Sequence, residues 1–226
     1  MTLDVSPDLT KKTGTASQHD RILCFGDSIT WGYLDQTGLG WPGRLGLHLK
    51  SRGYSAITFN MGINGDTSRD IAQRWQAEAD ARSRNAVGLF VFAFGFNDAA
   101  CLDGGDEQVS IEVSCALARN ILTNASVRSP VLWVGPTPLD ETVNPLRTRN
   151  NLWEMSNQRL AQYDEAYAKL AQDLGVSYLR LFPDFIASDR YRAALRDGDK
   201  VHPGQDGYAM IAERICAWPR WEDLIV

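Results

Sequence analysis

The sequence predicts an α/β fold: a three-layer α/β/α sandwich built on a five-stranded parallel sheet. Two features carry this expectation. Five short apolar runs, rich in β-branched or aromatic residues, end in Gly, Pro, Asn or Asp, and amphipathic segments separate them. Most runs are apolar throughout rather than alternating, as strands covered on both faces are. Strands that alternate with helices join through right-handed crossovers, which makes the sheet parallel.

The runs are "RILCF" (21–25), "AITFNM" (56–61), "GLFVFAF" (88–94), "VLWVG" (131–135) and "SYLRL" (177–181). Between the first two, "WPGRLGLHLKSRG" reads as a helix stopped by Gly53. "DTSRDIAQRWQAEADAR" opens with Asp66 or Thr67 as cap. "DEQVSIEVSCALARNILTNA" gathers Val109, Val113, Ala116 and Ile121 near one face. Segment 151–174 repeats Leu160, Tyr163, Tyr167, Leu170 and Leu174 at helical spacing until Gly175. Tyr208, Ile211, Ile215 and Trp218 mark a last helix.

A chain of 226 residues supports one sizeable core, read here as a single domain over 21–226 behind a loose polar arm over 1–20. A net charge of −5 offers no basic stripe for nucleic acid or an anionic membrane. The longest apolar run, 87–96, is far too short to cross a bilayer, so no stable membrane association is expected. Cys24, Cys101, Cys115 and Cys216 are scattered and no signal peptide is visible, which favours reduced thiols and a cytoplasmic location. No cofactor motif occurs, and the three dispersed histidines do not make a metal site. No oligomeric state is readable from the residues.

In parallel sheets ligands bind beyond the carboxyl ends of the strands. After the first three runs come "GDSIT" (26–30), "NGDTS" (64–68) and "GFND" (95–98); after the fifth, across an intervening segment, comes "DKVH" (199–202). Gathered at one edge, these supply a hydroxyl, an imidazole, a carboxylate and neutral hydrogen-bond donors, the groups that acyl transfer requires. Imidazole titrates near pH ~6.5 and can take and return a proton; a carboxylate on its second nitrogen fixes the tautomer.

In these blocks the chain resembles the SGNH hydrolases, the GDSL-type esterases and lipases. Gly26-Asp27-Ser28, "NMGINGDTS", Gly95-Phe96-Asn97-Asp98 and Asp199-x-x-His202-Pro203 stand in that family's order. The resemblance implies a flavodoxin-like strand order 2-1-3-4-5. It implies Ser28 as nucleophile, His202 as base and Asp199 as its partner, with Gly65, Asn97 and the Ser28 N–H as oxyanion donors. A serine esterase acting on a small-molecule ester of short acyl chain, O-acetylated carbohydrate among them, is the expected activity. A thioesterase or lysophospholipase of the same family is the alternative within the class, and a non-catalytic binding module the alternative outside it.

Each residue also has a plainer reading. Ser28 alone would cap a helix, Asn97 would satisfy a turn, Gly65 would serve a turn, and His202 would sit on a surface loop. Asp27 and Asp98 read as structural, Asn60 as a loop organiser, and His19 and His48 as bystanders. Asp103, Asp106 and Glu107 read as solvated charge at a helix N-terminus. Trp31, Tyr33, Phe96 and Leu139 line an acyl pocket or else pack the core. The segment 136–151 lacks a helical period and reads as a lid or specificity loop, in which Arg147 and Arg149 either favour an anionic substrate or are simply solvated.

Overall fold

The computed structural model describes residues 21–83 and 87–225; the arm expected over 1–20, with His19, lies outside the described residues. The strands are β1 (Arg21–Gly26), β2 (Ile57–Gly62), β3 (Leu89–Ala93), β4 (Cys101–Leu102), β5 (Val131–Val134), β6 (Leu146–Arg147), β7 (Leu152–Glu154) and β8 (Ser177–Leu179). The helices are α1 (Ser28–Trp31), α2 (Gly40–Ser51), α3 (Ser68–Ser83), α4 (Ile111–Ser126), α5 (Asn157–Leu174), α6 (Phe182–Ile186), α7 (Asp189–Asp197), α8 (Gly204–Cys216) and α9 (Trp221–Ile225).

Five strands form one parallel sheet in the order β2-β1-β3-β5-β8. Counted among themselves they run 2-1-3-4-5, as expected. Alternation along each strand splits the core in two. Leu23 and Phe25 of β1, with Phe90 and Phe92 of β3, face Trp75, Ile121 and Tyr167 on α3, α4 and α5. Ile22, Cys24 and Val91 face Trp41, Leu45, Tyr208 and Ile211 on α2 and α8. Each large side chain so buried contributes about 1.5–3 kcal/mol. Strand β2 departs from the expected burial on both faces: at the sheet's edge, only Met61 of its six residues is buried.

A second sheet was not legible in the sequence: β4, β7 and β6 pair antiparallel. It corrects the expected helix over 151–174. The helix begins only at Asn157, where the Ser156 hydroxyl accepts from the amides of Gln158 and Arg159, and 152–154 is strand instead. The 136–151 segment likewise holds a 3₁₀ turn (Glu141–Val143) and β6. No helix among the described residues is long and apolar enough to cross a membrane. All four cysteines are free.

The carboxyl ends of β1 and β2 are drawn together by close contact and by side chains. A Cβ on Gly62 would lie 2.2 Å from the Trp31 amide nitrogen, so only glycine lets β2 approach α1 this closely. Asn60, read as an organiser, donates from Nδ2 to the carbonyls of Thr30 and Trp31 at 3.0 and 3.1 Å. Arg74 of α3 completes the clamp. Its Nη2 donates to the carbonyls of Gly26 (3.1 Å) and Met61 (2.9 Å), and its Nε to the Asp66 carboxylate (2.6 Å).

Removing one partner of such a desolvated pair leaves the other charge uncompensated. Arg74→Gln is therefore expected to cost about 3 kcal/mol in urea unfolding. Adding Asp66→Asn should restore at least ~1 kcal/mol of that loss; strictly additive losses would show that the pair does not act as a unit.

Candidate active site

Asp27, not Ser28, is the N-cap of α1: its Oδ1 accepts from the Ile29 amide at 2.9 Å. Relieved of capping, the Ser28 hydroxyl lies 2.8 Å from Nε2 of His202. Nδ1 of the same ring lies 2.9 Å from Oδ2 of Asp199. The other carboxylate oxygen of Asp199 accepts from the amides of Val201 (3.0 Å) and His202 (2.7 Å). Three-residue spacing thus lets one carboxylate fold its own loop and orient the ring. Lys200, at φ 73°, makes the turn, and its carbonyl and amide are held by Asp140 and Leu195.

Burial acts to raise the Asp199 carboxyl, but the hydrogen bond and charge of His202, with the two amides, outweigh it and hold Asp199 below its ordinary range. An ionised Asp199 makes Nδ1 the protonated nitrogen, which leaves Nε2 as the acceptor facing Ser28. Tyr33 packs edge-on to the imidazole at 4.7 Å between centroids, and its carbonyl is held by the Tyr208 hydroxyl at 2.8 Å.

The expected donors Gly65 and Asn97 line the same cleft as Ser28. The Ser28 amide is at the first position of α1, where no intrahelical acceptor exists. Gly65 takes φ 81°, and nothing lies within 4 Å of the place a Cβ would occupy. Asn97 is buried; its Nδ2 donates to the Asp66 carbonyl at 2.9 Å and sits 3.5 Å from Oδ2 of Asp27. Its carbonyl accepts from Gln108 at 2.9 Å. Asp98 is structural, as read: it accepts from the Ser68 amide at 2.7 Å and from the Ser114 hydroxyl.

These groups open on a cleft of about 390 Å³ lined on the near side by Ser28, Tyr33, Gly65, Phe96, Asn97 and His202. Of the four residues read as a possible acyl pocket, Tyr33 and Phe96 line it, and Trp31 and Leu139 do not. Trp31, at the end of α1, sets its ring against Tyr33 at 5.9 Å. Leu139 is buried in the core, its backbone gripped on both sides by the Asn157 amide group.

The far wall is the small sheet: Leu146, Arg147, Thr148, Trp153 and Met155. Leu146, Arg147 and Thr148 fall in the segment read as a lid or specificity loop; Trp153 and Met155 were not legible, because strands of two or three residues are too short to show a period. The acidic cluster also needs correction. Asp103 accepts from the Leu152 amide and from Asn151 Nδ2, both at 2.8 Å, and so pins the β6–β7 hairpin; α4 starts instead from a Ser110 cap.

Burial pushes the Asp27 carboxyl up to about 7, against the pull of the Ile29 amide and of His202. The folded state therefore holds this proton more tightly than the unfolded chain, whose aspartate titrates near 3.8. Between these values folding stability falls as pH rises. Asp27→Asn keeps the capping oxygen and removes that dependence. Its urea midpoint should gain on the wild type from pH ~4 to ~7; a difference independent of pH would mean that Asp27 is ionised throughout.

Comparison with solved structures places the fold among known hydrolases. A lipase/acylhydrolase from Enterococcus faecalis superposes with TM-score 0.71 at 21% identity, covering 87% of this chain and 93% of that one. TesA gives 0.69 at 20% identity, covering 91% and 99%. Axe2-W215I, an acetyl xylan esterase from Geobacillus stearothermophilus, gives 0.66 at 19% identity, covering 87% and 94%. A comparison with curated protein sequences gives no match. The family model for GDSL-like lipases and acylhydrolases matches residues 24–210, a span that takes in all four sequence blocks, and the chain belongs to that family.

Proposed function

We propose that the protein is a serine esterase that hydrolyses short-chain acyl esters through an acyl-enzyme. One observation carries the reading: a hydroxyl free of capping duty, 2.8 Å from an imidazole nitrogen whose opposite nitrogen faces a carboxylate.

Ser28 Oγ attacks the ester carbonyl carbon as its proton passes to His202 Nε2. The carbonyl π pair moves onto oxygen, which takes hydrogen bonds from the amides of Ser28 and Gly65 and from the Nδ2 hydrogen of Asn97 not given to Asp66. Each such donor is worth about 2.7–4 kcal/mol in the transition state. Collapse expels the alcohol, which takes the proton from His202. Water then adds to the acyl carbon by the same route, releasing the acid and restoring Ser28. Asp199 stays ionised and stabilises the imidazolium.

The acetyl xylan esterase among the structural relatives supports an O-acetyl group on carbohydrate as the substrate type. Four free thiols support a reducing, cytoplasmic setting.

Ser28→Ala should lower kcat on 4-nitrophenyl acetate by at least ~10³-fold with an unchanged thermal midpoint. A fluorophosphonate probe should label the wild type at Ser28 and leave the variant unlabelled. Unaltered turnover in the variant would take Ser28 out of the reaction, and an inert wild type would point to a binding module.

A further inference from the structure

We propose that Arg147 is a specificity residue for the acidic group of a substrate, a carboxylate or phosphate joined to the ester through an apolar segment; the proposal rests on the reading of Ser28 as nucleophile.

The far wall of the cleft combines two chemistries. Leu146, Trp153 and Met155 offer apolar surface, and Arg147 is the only lysine or arginine lining the cleft among the described residues. The other ionisable liners are Tyr33, packed on the imidazole, and the pair Asp199 and His202, engaged with each other. The guanidinium of Arg147 has no carboxylate or carbonyl partner among the described residues. Three arginines outside the cleft are spent on carboxylates: Arg74 on Asp66, Arg44 on Asp35, and Arg180 on Asp164 and Glu165. The one arginine of the cleft is thus left with its five donors unspent, in the planar fork that grips an oxyanion through two parallel bonds.

The strand beneath Arg147 is the edge of the small sheet, held along one side by β7 and at its ends by side chains. Leu146 pairs with Trp153 and Arg147 with Leu152. Thr148 donates its amide to the Asn151 carbonyl at 2.9 Å. The Asn144 side chain accepts from the Met155 amide at 3.0 Å and donates to its carbonyl at 2.6 Å. Asp103 holds the Leu152 amide. Binding an anion therefore orders one side chain and no loop, which keeps the entropic cost small. The net charge of −5 repels anions from the molecule as a whole, so the exposed cation of Arg147 on the cleft's wall bears on which esters settle there.

The test uses esters matched but for charge. On the alcohol side these are 3-acetoxybenzoate, 3-acetoxyphenyl phosphate and neutral 3-acetoxybenzamide; on the acyl side, the 4-nitrophenyl monoester of succinate and 4-nitrophenyl butyrate. Each is assayed with wild type, Arg147→Gln and Arg147→Lys. For at least one acidic ester, Arg147→Gln should lower the acid-to-neutral ratio of kcat/KM by about tenfold, with Arg147→Lys intermediate. Added salt should compress the wild-type ratio. The benzoate and phosphate arms report which acid is preferred.

An unchanged ratio on every pair, with neutral esters still turned over, makes Arg147 a solvated surface charge; the proposal then falls while the esterase reading stands. Absence of turnover on every ester, with Ser28 unlabelled, sinks the esterase reading instead. Calorimetric binding of 3-acetoxybenzoate and 3-acetoxybenzamide to wild type and Arg147→Gln decides in that case: equal affinities overturn the role of Arg147, and selective loss of benzoate binding supports it.

Discussion

The guanidinium of Arg74 ties together the parts on which the site depends. It bonds the last carbonyl of β1, a carbonyl near the end of β2 and the carboxylate of Asp66 in the loop that follows β2. The Asp66 carbonyl in turn holds the side chain of Asn97 beyond β3. Three adjacent strand ends therefore share one hydrogen-bonded chain. A parallel sheet delivers its loops to a common edge, but it does not set their relative heights to within a bond length. Here a desolvated ion pair and three carbonyl contacts supply that precision.

Electrostatics then divides the carboxyl groups by task. Asp199, half-buried beside the imidazole, is kept ionised by amides and by the ring it orients. Asp27, fully buried, is pushed toward its neutral form by desolvation that outweighs the amides of the helix it caps. Asp98 satisfies the Ser68 amide and the Ser114 hydroxyl and so braces the loop from below. Residue type is the same in all three; burial and donors decide what each does.

The sequence made the main sheet and the four loop blocks legible because both follow from local pattern: continuous apolar runs for strands buried on two faces, and polar clusters where those runs stop. Helix starts were not legible even where a serine caps them: Ser110 and Ser156 cap α4 and α5, yet the pull of Leu160 and Tyr163 at helical spacing extended the expected helix back over 152–154. That stretch is strand because it pairs with 101–102 and 146–147, partners that local periodicity does not report. Trp31 and Leu139 illustrate the same limit at the level of side chains. Both lie near the right edge, yet one ring turns onto its near neighbour Tyr33 and the other side chain into the core, orientations that residue type does not report. Arg74 left no trace either: a helical arginine looks like solvated charge until the strands it reaches are known.

The small antiparallel sheet gives the molecule a division of labour. Its strands carry the far wall of the cleft and none of the groups that touch the Ser28 hydroxyl, and it is joined to the central scaffold by segments that leave β3 and enter α5. Exchanges of side chain on that wall alter what is admitted without disturbing the hydrogen bonds among residues 28, 199 and 202. A chain organised in this way can drift from one ester to another by redrawing a few square ångströms of border while its reactive centre stays untouched.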